Sequence, residues 1–322
     1  MFDEISIPEE FLIKKQPRYK VAIIPTWNEA KRIFEKFTNQ WMFRGQENST
    51  WSLVPSLCRF GKNTGEISLE EISLMVFKNR AKEYPEVLSY NPKTTFEWLY
   101  IMRHYGVPTR LLDWTFCPYI AGFFAFHYLD PFSPDASCAI WAINKEWCKN
   151  QALSRIRMID KYKNIAEDAD FTSEECFKDL FLDNFMKYKL NFVYPLKPEL
   201  SRMFYRMKDQ NGIFLCQGND DVTFEDNLCF EREENGFPED IEKARKLIEE
   251  REKFIIKFII EGKHRKDVLG ELEEKRKTLH TLFKSLDLYA ESVVRYLKQL
   301  DKHSGVLRET AIREIKEKLG DS

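Results

Sequence analysis

The sequence predicts an α+β fold, a mixed sheet core with surrounding helices and a helical C-terminal extension. Short apolar runs of strand length, such as "SCAIWAIN" at 137–144, are interspersed with segments of helical periodicity. From residue 265 onward the chain reads as helical, an extended arm after the mixed region. With 322 residues, 43% hydrophobic, and 26 Phe and 13 Tyr, the chain can fill one large aromatic core or two ordinary ones.

Residues 27–40, "WNEAKRIFEKFTNQ", place Ile33, Phe34 and Phe37 on one side of a helix that leads into a short strand, Trp41–Arg44. Residues 66–84 carry apolar groups at Ile67, Ile72, Met75, Val76 and Phe77 and read as a second helix. "TFEWLYIMRHYG" is a third, stopped by Gly106 with a proline two residues on. "VPTRLLDWT" is extended, and alternation sends Arg110, Leu112 and Trp114 one way and Leu111, Asp113 and Thr115 the other. Thr115 then takes the N-cap position before "FCPYIAGFFAFHYL", which has proline in its first turn. The small residues Ala121, Gly122 and Ala125 let that helix lie close against a sheet.

Residues 150–190 are charged and helical, and "YPLKPELSRM" reads as an extended, proline-rich loop. A short helix, a strand from Gly212 to Cys216 and a strand within "KFIIKFIIEG" at 253–262 follow. In the terminal arm Leu279, Phe283, Leu286, Ala290, Val293, Leu297 and Leu300 keep the 4-3 spacing of a heptad seam over roughly three repeats. The expected organisation is a lead-in at 1–26, a domain at 27–287 and a helical extension at 288–322.

Several function classes are excluded early. The formal net charge of −2 announces no general nucleic-acid binder, although a local basic groove remains compatible with it. The acidic opening "MFDEISIPEE" lacks the basic-then-apolar pattern of a signal peptide, and the most apolar run, "AGFFAFHYL", is too short to span a bilayer. A soluble cytoplasmic protein is expected, with no membrane partner. The seven cysteines are scattered, odd in number and never in CxxC spacing, so they read as reduced core residues and not as a zinc site. P-loop, HExxH, GxGxxG and GxSxG signatures are absent.

The chemistry concentrates in two places. "WMFRGQ" puts the permanently charged Arg44 in an apolar strand, with Gly45 permitting close approach of a ligand or of another backbone, and Gln46 beside it. Arg44 either grips an anion with its planar fork or pairs with an acid such as Asp113. "RHYGVPTRLLDWT" gathers Arg103, His104, Tyr105, Arg110, Asp113 and Thr115 at a helix–loop–strand–helix junction, where a helix N-terminus attracts anions. His104 is also a candidate proton-transfer group. A hydrolase built on His104 and Asp113 would need a metal cluster or a closely paired base and nucleophile, and the carboxylates are scattered.

The conjunction "FRGQ…W.L.PSL.R" followed by "HYGVPTRLLDWT..P..A..FA" resembles the FRG domain family. "YPLKPELSRMFYRMKDQNGIF" and "LHTLFKSLDLYAES" are similar to its C-terminal segments, so the resemblance runs from about residue 27 to about residue 290. The chain departs from the family pattern at Arg103, where Gln is usual, at Gln210-Asn211 and at Lys284-Ser285. A weaker resemblance links "FRG", then "DWT" with "IAGFFAF", to ADP-ribosyltransferases of the Arg-Ser-Glu type.

That second resemblance implies an ADP-ribosyltransferase-like core with NAD as substrate. Arg44, Gly45, Gln46 and Arg110 would lie at its phosphates or nicotinamide ribose. Thr115 would support the arginine, and Tyr105 or Trp114 would stack on the ring. In the position of the catalytic Glu stands Gln210, with Asp113, Asp209 or Glu231 as alternative acids. The implied function is a toxin or phage-defence protein that transfers ADP-ribose to a macromolecule such as RNA, with an inhibitor or antitoxin protein docking on the C-terminal helix. The alternative is a non-catalytic nucleotide- or RNA-binding module of a defence system, which the missing Glu favours.

Overall fold

The computed structural model describes residues 5–12, 18–60, 68–129, 136–157, 189–197, 205–229, 249 and 251–282, with isolated positions at 290, 293, 294, 297, 298, 301, 309 and 313. Among them a seven-stranded mixed sheet runs in the order β1-β7-β4-β2-β3-β6-β5. Its strands are β1 (Lys20–Ile24), β2 (Trp41–Gln46), β3 (Leu111–Thr115), β4 (Ser137–Asn144), β5 (Val193–Leu196), β6 (Gly212–Gln217) and β7 (Ile255–Glu261). β1 and β7 are parallel; the other neighbours are antiparallel. This agrees with the expected α+β class.

The helices are α1 (Trp27–Phe34), α2 (Leu69–Ala81), α3 (Pro85–Tyr90), α4 (Thr95–His104), α5 (Pro118–His127), α6 (Lys145–Arg157), α7 (Tyr205–Asp209), α8 (Phe224–Cys229), α9 (Arg265–Glu274) and α10 (Leu279–Leu282). Their starts follow from local chemistry. Thr26 accepts the amide of Glu29, while Ser68 with Glu71 and Thr94 with Glu97 form reciprocal capping boxes. α4 gives way to Gly106, whose φ of +83° suits glycine. Strand alternation separates the cores. Phe43, Ile140 and Phe258 pack with α1, α5 and α9; Leu111, Phe214 and Tyr194 pack with α2 and α4; Met42, Leu112, Trp114 and Trp141 fill the opposite face.

Four expectations are corrected, and the facing of α2 is fixed. The 1–26 lead-in contributes β1, which pairs with β7 over five positions, so it belongs to the sheet. "VYPL" is a strand and not a loop; its Pro195 is tolerated because β5 closes the sheet edge and needs no donor on its outer side. α2 turns Glu70, Leu74 and Ala81 inward and leaves Ile72, Met75 and Val76 exposed. α1 ends at Phe34, six residues earlier than expected. The N-cap of α5 is Cys117; Thr115 closes the preceding turn instead, accepting the Cys117 amide at 3.0 Å.

Most of 150–190 and of the heptad seam lies outside the described residues, as do Glu231, Lys284 and Ser285. Within that arm Ala290, Val293 and Leu297 are exposed. No helix among the described residues is long and apolar enough to cross a membrane.

Candidate functional site

β2 presents its two motif residues to opposite faces. Gly45 lies under α5: a Cβ built there would stand 1.9 Å from the Ala121 carbonyl oxygen and 2.7 Å from the Ala125 amide nitrogen. The close approach that glycine permits is therefore that of a helix backbone, and Gly45 has no room to face a ligand.

Arg44 lies at the seam between β2 and β3, which share one paired position, Phe43 with Thr115. Its Nη1 crosses the seam to donate to the Asp113 carbonyl at 2.6 Å, while the Asp113 carboxylate stands 4.0 Å away. Arg44 Nε has no partner. The side chain is 21% exposed and that of Asp113 37%, so the pair is open to solvent.

The Asp113 carboxylate is engaged elsewhere. Arg103, in the last turn of α4, brings Nε and Nη2 to its two oxygens in a bidentate pair and donates through Nη1 to Ser56 Oγ at 3.1 Å. Ser56 in turn holds both backbone groups of Thr109, at 3.1 and 3.2 Å. Arg59 lies in the same loop, with Nη1 at 3.5 Å from the Val54 carbonyl. The cluster thus brings Arg44 and Arg103 to one carboxylate, with Arg59 close enough for its charge to act on Arg44.

Burial pushes the Arg44 guanidinium down to about 10, Asp113 pulling it back up and Arg103 and Arg59 lowering it further. It remains charged at neutral pH. Arg103 moves the other way, raised by Asp113.

Several expected binders have structural duties instead. Arg110 is 1% exposed and pairs with the equally buried Glu70 and, at 3.6 Å, with Asp220; Nη1 also donates to the Gly218 carbonyl at 2.9 Å. It cannot reach a ligand from there. Gln46 donates to the Ser52 carbonyl at 3.0 Å and accepts from Trp141 Nε1 at 2.7 Å, which uses both ends of its amide. Trp114 is buried in the core of the opposite face, where no ring can stack on it from solvent.

Thr115 and Gln210 do meet. Thr115 Oγ1 donates to the Gln210 carbonyl at 2.6 Å, but the Gln210 amide donates to the Leu282 carbonyl at 3.1 Å. Gln210 is buried and ties α10 to the turn before β6, so its side chain is committed away from Arg44. His104 stands edge-on to Tyr105 with ring centroids 5.1 Å apart, and its neighbour Arg103 pairs with Asp113 from the last turn of α4. Tyr105 is exposed, and burial, with a hydrogen bond to Tyr90, raises its phenol.

Sequence reasoning missed Ser56 and Glu70. Ser56 stands in the "PSL" motif with nothing local to mark its role. Glu70 is 40 residues from its partner Arg110.

Residues 39–133 match the family model of the FRG domain. That stretch contains Arg44, Ser56, Arg59, Arg103 and Asp113, the whole cluster, together with α5 against Gly45; Gln210 lies beyond it. No curated protein and no solved structure matches the chain.

Proposed function

We propose that the protein binds a nucleotide through its phosphates at the Arg44–Arg103–Asp113 cluster, with NAD the nucleotide that the sequence resemblance implies. The observation that carries this reading is the state of Arg44. Its guanidinium is part-exposed, its Nε lacks a partner, and the one carboxylate beside it already holds Arg103 in two bonds. A positive charge only partly offset by Asp113, with Arg103 and Arg59 acting against it, favours an arriving anion, which relieves their repulsion. Gln210 and Arg110, being spent on the fold, support a binding module over an enzyme.

A second reading, ADP-ribosyl transfer, is favoured by one specific feature. β2, β3 and β6 are adjacent, so Arg44 on β2, Thr115 on β3 and Gln210 in the turn before β6 come from neighbouring parts of the sheet, in the chain order of the resemblance. The acid for such chemistry would be Asp113, whose negative charge can face the cationic centre developing at the ribose C1′.

The test is to incubate the full chain with labelled NAD, alone and with RNA, DNA or protein. Saturable binding without nicotinamide release sustains the module. Release that Asp113→Asn abolishes sustains the transferase. No binding of NAD, ADP-ribose or ADP refutes both.

A further inference from the structure

Three consecutive residues of the loop after β2 are each held by a buried polar side chain from elsewhere. Lys257 of β7 donates through Nζ to the Trp51 carbonyl at 3.1 Å. Gln46 donates to the Ser52 carbonyl at 3.0 Å. Glu225 of α8 accepts the Leu53 amide at 2.7 Å. All three side chains are buried, yet the loop's own Trp51 and Ser52 are exposed. Leu53 is itself buried and its amide needs a partner, but the exposed turn at Trp51 and Ser52 needs no such anchoring for its own sake, since water would satisfy its backbone.

The arrangement is also costly. Lys257 lies 4.7 Å over the Trp141 ring, and burial lowers its ammonium and raises the Glu225 carboxyl, each opposed by the other's charge. Two ionisable groups are kept out of water, and each bonds to this loop's backbone.

What the loop carries explains the placement. Leu53 is followed after two residues by Ser56, which holds Arg103 and Thr109, and then by Arg59 near Arg44. Lys257, Trp141 and Arg44 are also register neighbours across β7, β4 and β2, so the latch and the anion cluster share one row of the sheet. We infer that Lys257 and Glu225 are positioning residues: they latch residues 51–53 and so preset Ser56 and Arg59 around Arg44 and Arg103. The inference rests on the nucleotide-binding reading for its purpose but not for its geometry.

The experiment is hydrogen exchange of the full chain with mass spectrometry, read on segment 47–60 and on β4, together with ADP-ribose titration. Lys257→Met removes the donor and keeps the stem; Lys257→Gln restores a donor; Glu225→Gln keeps an acceptor. Lys257→Met is expected to speed exchange of residues 51–59 at least about tenfold with β4 unchanged, and to weaken ADP-ribose by about tenfold. Both Gln variants should lie nearer the wild type.

Unchanged loop exchange in Lys257→Met overturns the latch. So does a rise that spreads equally through β4, which would mark a general loss of stability. A loosened loop with wild-type affinity overturns the positioning role. If the exchange pattern holds but the wild type binds neither ADP-ribose nor ADP, the nucleotide reading fails and the latch stands.

Discussion

Arg44 and Arg110 are the same residue type, 66 positions apart in one motif-rich stretch, and the structure gives them opposite physics. Arg44 is part-exposed and makes one charge-assisted bond to a main-chain carbonyl, so Arg44→Ala forfeits about 1.5–3 kcal/mol, offset in part by relief of its repulsion with Arg103. Its expected signature is a melting curve displaced less than that of Arg110→Ala, with nucleotide binding lost. Arg110→Ala leaves Glu70 and Asp220 buried without their counter-charge, and should destabilise by about 3–5 kcal/mol in denaturant unfolding. A near-neutral Arg110 variant would show that the buried ion cluster relaxes. The sequence flagged both arginines and ranked neither. What separates them is Glu70 and Asp220, 40 and 110 residues away, and local alternation carries no trace of partners at such distances. Arg103, which the sequence placed in the junction cluster and marked as a departure from the family pattern, forms the bidentate pair with Asp113.

Elements were legible where local chemistry decides them. "SCAIWAIN" is a strand because its six central residues are apolar without a break and it lies between β2 and β7; the Ser68–Glu71 and Thr94–Glu97 boxes announce α2 and α4. α2's orientation was not legible, because Glu70 must face inward to meet Arg110, and that rotation carries Ile72 and Met75 out. Gly45 is the case where sequence left two open readings, ligand or backbone. The atoms that a Cβ would strike belong to the backbone of α5 and cannot swing aside. Gly45→Ala should therefore cost at least the upper end of the roughly 1–3 kcal/mol usual for overpacking. Thermal melting checks it, and a variant as stable as wild type would mean that α5 slides freely on β2.

At the scale of the molecule, a formal charge of −2 conceals Arg44, Arg103 and Arg59 acting on one another beside Asp113, because net charge averages over the whole surface. The boundary at residue 27 fails for a similar reason: composition around 1–26 looks like a lead-in, while the sheet uses it as β1. Ile5, Ile7, Ala22 and Ile24 are buried in the core shared with α1, α5 and β7. Removing 1–26 would strip those contacts and turn β7, "IIKFIIE", into an unprotected edge of mostly buried apolar residues. Such an edge recruits other chains. The truncated protein should collect as aggregate in size-exclusion chromatography. A chain ending at residue 287 retains Leu282, its bond to Gln210 and its place in the core, and should elute and melt as the full chain does. The two ends are thus predicted to differ, although by sequence pattern both looked like appendages. A soluble, cooperatively melting 27–322 fragment would show that β7 can close the sheet by itself, and that β1 contributes little beyond covering it.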